Sequence, residues 1–187
     1  MIEKMVVAAG ASDSSMEVIR CMKSMRKLGI KKCLLLQCYS PGEEASAIGG
    51  IVGEIYEENL ARQKELLEEQ GYEVETRIVK GSLENEVNDI AEKENADIIV
   101  TKATNRSLIG DAVFKGLAYE VLHKSEKPVM LVRANFKADA DIECDIMNHI
   151  MFPTDFSENA AKAFGALKSL APCHGTKITL VHVQDTT

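Results

Sequence analysis

The 187-residue chain lacks any long hydrophobic run. Its longest apolar stretches, such as Ile98-Ile99-Val100 and Val129 to Val132, fall far short of the roughly 18 residues a membrane span needs. Basic charge is also scarce: 22 Lys and Arg stand against 29 Asp and Glu, a net charge of -7. That sign opposes attraction to phosphate backbones and anionic lipid, so neither nucleic acid nor a membrane surface is an expected partner. No C-x-x-C pair joins the five cysteines, Cys21, Cys33, Cys38, Cys144 and Cys173. An odd, unspaced set is expected to be free thiols in a reducing compartment. The apolar stretch Met5 to Ala9 is too short for a secretory leader, and Glu3 beside Lys4 spoils the basic region. A cytoplasmic location is therefore expected. His123, His149 and His174 have no partners at metal-ligand spacing, and no metal is expected. No G-x-S-x-G, P-loop or triad-like set is present, so no catalytic residue is assigned and enzymatic activity is not expected.

What is present is a balanced globular composition, 45% hydrophobic and 27% charged, with a regular alternation of strands and helices. Met5 to Ala9 reads as a buried strand. Ser14 followed by Glu17 reads as a capping box opening a helix to about Leu28, where Gly29 stops it. Lys32 to Cys38 is the next strand. A long helix spans about Ile51 to Glu69, with Val52, Ile55, Tyr56, Leu60 and Leu67 toward one face and Glu54, Glu57, Glu58, Glu65, Glu68 and Glu69 on a solvated one. Glu73 to Val79 alternates as a strand near a sheet edge does. A helix carrying Leu83, Val87, Ile90 and Ala91, a strand at Asp97 to Thr101, a helix with Val113, Leu117 and Val121, and a strand at Pro128 to Val132 complete the series.

Strands apolar on both faces, each followed by a helix, predict a doubly wound α/β fold with a five-stranded parallel sheet over residues 1–133. Such sheets bind ligands outside the carboxyl ends of the strands, at the loops after Ala9, Cys38 and Thr101. Residues 134–146 read as an acidic linker. Beyond it the opening pattern recurs: a shift of 145 lays Met5 to Ser12 on Ile150 to Ser157, and Leu35 to Cys38 on Leu180 to Val183. Residues 147–187 are thus expected to be the first βαβ unit of a second, truncated module of a tandem protein. One such unit cannot bury both faces of its strands, and a homodimer covering them is the accompanying expectation, whether the unit packs in cis or swaps between chains.

The stretch Met147-Asn-His-Ile-Met-Phe-Pro-Thr-Asp-Phe-Ser-Glu-Asn-Ala resembles the opening strand and turn of universal stress proteins, and Thr179-Leu-Val-His-Val-Gln-Asp their second strand. Asn95 to Val100, Leu117 to Leu122 and Lys127 to Val132 are similar to their fourth strand, last helix and fifth strand. The resemblance implies the α/β fold, a tandem arrangement and a role in stress adaptation. Its nucleotide-binding members carry an acidic residue after the first strand and a G-x-x-G-x9-G-[ST] loop after the fourth. Here the four loop positions fall on Lys102, Asn105, Lys115 and Gly116, none of which carries the family residue, and the acidic position falls on Gly10. The recurring copy has Asp155 there, which either contacts an adenosine or caps the following helix.

Two readings follow, with a third behind them. In the first, the chain is a regulatory protein with a degenerate nucleotide loop that acts by protein–protein contact and needs no cofactor. In the second, it is a sensor holding ATP, ADP or AMP (with Mg²⁺) near Ala9, Gly10 and Cys38, with side-chain charge from Lys102, Arg106 and Lys115 replacing backbone N–H groups. Asn105 would keep the loop shape through a left-handed turn. The third, a weak nucleotide hydrolase, requires a water-activating group and Mg²⁺.

Overall fold

The computed structural model describes residues 2–8, 10, 13–39, 51–103, 117–133, 144–170 and 175–184. Strand β1 (Lys4–Ala8) lies at the centre of a five-stranded, all-parallel sheet of order β3-β2-β1-β4-β5. The other strands are β2 (Lys32–Tyr39), β3 (Glu73–Lys80), β4 (Ile98–Lys102) and β5 (Val129–Val132). Helices α1 (Asp13–Cys21), α2 (Ile51–Glu69), α3 (Leu83–Lys93) and α4 (Leu117–Lys124) supply the covering layers. This is the doubly wound α/β fold that the alternation predicts.

The period of two along each strand divides the core. Met5 and Val7 of β1, with Cys33 and Leu35 of β2, face one cluster that includes Val18, Ile19, Met22, Met25, Leu60 and Leu67. Val6 and Ala8, with Leu34 and Leu36, face the other, against Val87, Ile90, Ala91 and Val121. All four strand residues of the second face are at most 3% exposed. Edge strand β3 mixes exposed and half-buried positions, and its alternation is broken where Glu75 and Thr76 are both exposed.

Several local expectations need correction. Helix α1 is already under way at Asp13, so Ser14 lies in its first turn and is not the cap. The α-helix ends at Cys21 and continues as a 3-10 turn over Met22–Leu28. The Ser24 hydroxyl donates to the Cys21 carbonyl three residues back, at 3.1 Å, which suits the tighter winding. Gly29 then stops it at φ 91°, a left-handed conformation that favours glycine. On α2 the inward phase is Tyr56, Leu60, Gln63 and Leu67, so Ile55 turns outward and is 46% exposed. Val113 lies outside the described residues.

The free-thiol expectation is also corrected, because Cys21 and Cys144 form a disulfide across 123 residues. Its far end does not behave as a detached linker. Cys144 and Ile146 pack against the first core cluster, Met147 is 6% exposed, and Lys27 Nζ meets Asp145 Oδ2 at 2.7 Å. Cys33 and Cys38 form no disulfide, and Cys173 lies outside the described residues.

Two residues beyond Met147 the chain enters β6 (His149–Pro153), followed by α5 (Glu158–Leu170) and β7 (Lys177–Val181). The two strands form a separate parallel sheet. Their pairing, His149 with Lys177 through Pro153 with Val181, is the β1–β2 pairing displaced by 145 residues, and α5 begins 145 residues after α1.

Candidate functional site

From β1 the chain winds outward through β2 to β3, then crosses to β4 on the other side. Strand order therefore reverses between β1 and β4, and the crevice outside their carboxyl ends is where a sheet of this kind takes a ligand. Gly10 is exposed at its lip, and its carbonyl accepts Gln63 Nε2 at 3.3 Å. A Cβ at Gly10 would stand 3.4 Å from Ser15 Oγ, so the loop runs close to the start of α1. Lys102 ends β4, half-buried and opposite Val132 of β5. Cys38 is half-buried near the end of β2 and outside any disulfide, packed against the second core cluster, and its carbonyl accepts Gln37 Nε2 at 2.9 Å.

Gly10, Lys102 and Cys38 thus sit at one end of three sheet strands or their loops. Ala9, Asn105, Arg106, Lys115 and Gly116 lie outside the described residues. Two polar groups near this end escaped sequence reasoning. Gln63 and Thr101 are each 1% exposed, and Gln63 Oε1 and Thr101 Oγ1 make no hydrogen bond among the described residues. Gln63 could have been found as the polar residue in the inward phase of α2. Thr101 could have been found as the hydroxyl ending an otherwise aliphatic buried strand.

A second set of groups stands at the carboxyl ends of β6 and β7. Ser157 is the N-cap of α5, its Oγ accepting the Ala160 N–H at 3.2 Å. Asp155 accepts the Ser157 N–H at 2.9 Å, a local turn that orders the cap. The Ser157 backbone and hydroxyl, which bond to this carboxylate, hold its pKa below the usual range. Phe156 between them adopts φ 60°, donates its N–H to Thr154 Oγ1 at 3.0 Å and stacks obliquely on His182, ring centres 4.6 Å apart. His182 Nδ1 lies 2.8 Å from the Thr154 carbonyl, so this nitrogen carries the proton. Asp155 leaves its carboxylate in solvent.

At the opposite, amino end of the main sheet, Glu94 takes hydrogen bonds from Lys4 at 2.7 Å and Arg77 at 2.6 Å, which keep its pKa low. Asp97 accepts the N–H groups of Glu3 and Lys4. These pairs lock β1 to the α3–β4 turn. Among the described residues no group of His, Cys, Asp or Glu is arranged to hold a metal ion. No helix among them is long and apolar enough to cross a membrane.

The sheet and its crevice define a doubly wound α/β protein of the kind that takes ligands at a topological switch point. Residues 1–133 match the universal stress protein family, and the chain belongs to it. A universal stress protein of Methanocaldococcus jannaschii is 29% identical over 86 residues, which cover 46% of this chain and 51% of that one. The fold is shared with a universal stress protein structure from Archaeoglobus fulgidus DSM 4304, at 19% identity and TM-score 0.78, covering 98% of this chain and 66% of that one. Another, a universal stress protein from Archaeoglobus fulgidus in complex with dAMP, has 20% identity and TM-score 0.52, with 70% and 97% covered. The chain thus spans about half to two thirds of the length of the first two.

Proposed function

We propose that this chain is a cytoplasmic, non-enzymatic regulatory protein of stress adaptation that works through protein–protein contact, as a homodimer joined through the β6–α5–β7 unit. The observation that carries this reading is the exposure of that unit. Met151 is 68% exposed, Phe156 74%, Leu180 57% and Val183 83%. Helix α5 lies against the face of β6–β7 holding Ile150, Phe152 and Leu180, with the Phe164 and Phe152 rings 5.5 Å apart, and leaves Leu180 more than half exposed. The other face, with Met151, Pro153, Thr179 and Val181, stands where Val6, Ala8, Leu34 and Leu36 are buried in the main sheet. Apolar area of this kind on a folded chain marks an interaction surface. Hydrogen exchange of the β6 and β7 amides, followed against protein concentration, tests the reading. Protection rising with concentration is expected, while concentration-independent exchange would argue against it.

A second reading is favoured by the crevice itself. Gly10 and Lys102 share the carboxyl end of adjacent strands, and a family relative of the same fold is complexed with dAMP. In that reading an adenine nucleotide lies over β1 and β4, Lys102, Arg106 and Lys115 supply the countercharge, and Asp155 offers a second, separate contact. A calorimetric titration of ATP, with and without Mg²⁺, decides it. Saturable binding weakened by Lys102→Ala supports the sensor, and no heat leaves the contact reading in place.

A further inference from the structure

Among the described residues, the Cys21–Cys144 disulfide joins the main domain to the segment leading into β6 alongside one ion pair and a few apolar contacts. On one side stands Cys21, 1% exposed, at the junction of α1 and its 3-10 extension. On the other stands Cys144, half-buried, at the start of the short segment leading into β6. Besides the disulfide, the segment is held by the Lys27–Asp145 ion pair and by the packing of Ile146 and Met147. Both members of that ion pair are about a third exposed, 35% and 36%, and a pair so wet contributes little. The main sheet and its two core clusters span all five strands, and the disulfide ties a buried member of the first cluster, Cys21, to the partly buried Cys144 outside it.

We propose that Cys144 is a reversible thiol–disulfide exchange site, reacting with small thiols and disulfides of the glutathione class, and that its opening releases residues 144–147 and the β6–α5–β7 unit from the main domain. The difference in exposure sets the direction of attack. An external thiolate reaches Cys144 Sγ, forming a mixed disulfide as the bond to Cys21 breaks, and Cys21 Sγ departs and takes a proton. A second external thiolate then attacks the outer sulfur of the mixed disulfide. Cys144 leaves as a thiol and the two external thiols depart as one disulfide, so two electrons and two protons pass to the protein. Oxidised glutathione runs the sequence backward. Reclosure is intramolecular, because both thiols stay on one chain and Cys21 resolves the mixed disulfide at Cys144 when the segment redocks. In a cytoplasm that keeps most thiols reduced, disulfides are chiefly transient or sensing, which suits this assignment better than a permanent staple.

Cys33 provides an internal control. It is 2% exposed in the same core cluster, with its thiol pushed up to about 12 by burial, and is expected to stay unreactive while the domain is folded. The full chain would be treated with dithiothreitol in native buffer, pulsed with iodoacetamide and mapped by mass spectrometry. Hydrogen exchange would be followed in parallel. The expected result is rapid labelling of Cys144, none of Cys33, and exchange of the Met147 to Ile150 amides faster by roughly tenfold or more, with β1 and β4 unchanged. Oxidised glutathione should restore the slow exchange, and Cys144→Ser should show fast exchange with or without oxidant. Three outcomes would overturn the proposal. They are a bond that opens only in denaturant, Cys33 labelling as fast as Cys144, and Cys21 and Cys144 left as thiols in oxidised glutathione.

Discussion

Val6 and Met151 hold the same place in two parallel strand pairs of identical register, and their surroundings are opposite. Val6 pairs with Leu34 and is fully buried, whereas Met151 pairs with Thr179 and is 68% exposed. The difference comes from what lies above the sheet. Over Val6 stand Val87, Ile90, Ala91 and Val121 from α3 and α4, and no helix among the described residues does the same for Met151.

Substitutions at these two surfaces should differ in kind. Leu34→Ala empties a fully buried site and is expected to cost about 2–5 kcal/mol in chemical denaturation. Met151→Ala should change the stability of the isolated chain by no more than about 0.5 kcal/mol, while weakening self-association. Equal losses at both sites would mean that Met151 is buried in the folded monomer.

Acid sensitivity should be traceable to Glu94. Its pKa is lowered by the Lys4 and Arg77 hydrogen bonds, relative to an ordinary 4.5. A carboxylate lowered in the folded state stabilises it above the unfolded-state value, and that contribution is lost as pH falls through the folded-state value. Thermal midpoints measured between neutral pH and pH 3 should therefore fall on acidification, and Glu94→Gln should flatten the fall. An unchanged slope in Glu94→Gln would place the acid-sensitive groups elsewhere.

The disulfide should matter to stability as well as to exchange. Closing 123 residues restricts the unfolded chain, by a chain-entropy estimate of roughly 4–5 kcal/mol, of which measured disulfides commonly deliver about 2–4. Oxidised protein should unfold at a higher denaturant concentration than reduced protein or the Cys21→Ser, Cys144→Ser double variant, with all three folded in its absence. Coincident transitions would show that the bond is absent or that the unfolded chain is already compact.

Strand and helix order was readable because it depends on local periods. The aliphatic runs at Met5, Lys32 and Ile98 and the glycines at 29 and 71 act within a few residues of themselves. What escaped depends on distant neighbours. The outward turn of Ile55 follows from which phase of α2 meets β2 and β3, and the inward Gln63 from the loop after β1 that it reaches. Cys21 and Cys144 carry no spacing signal, because the fold and not the chain brings their Cα atoms to 4.8 Å. Strand ends alone point to the loops after Ala9, Cys38 and Thr101, while the positions Gly10 and Lys102 come from the resemblance to the family's loop. The Asp155–Ser157 turn is half legible: the sequence leaves Asp155 as either an adenosine contact or a cap, whereas the cap is the Ser157 hydroxyl and Asp155 accepts the N–H of Ser157.

The most direct test of the contact reading is sedimentation velocity of the full chain over a wide concentration range, with and without ATP and Mg²⁺, alongside Met151→Lys. A dimer that forms with rising concentration, is indifferent to nucleotide and is lost in Met151→Lys is the predicted result. A monomer at every concentration, or a dimer that appears only with nucleotide, would contradict it.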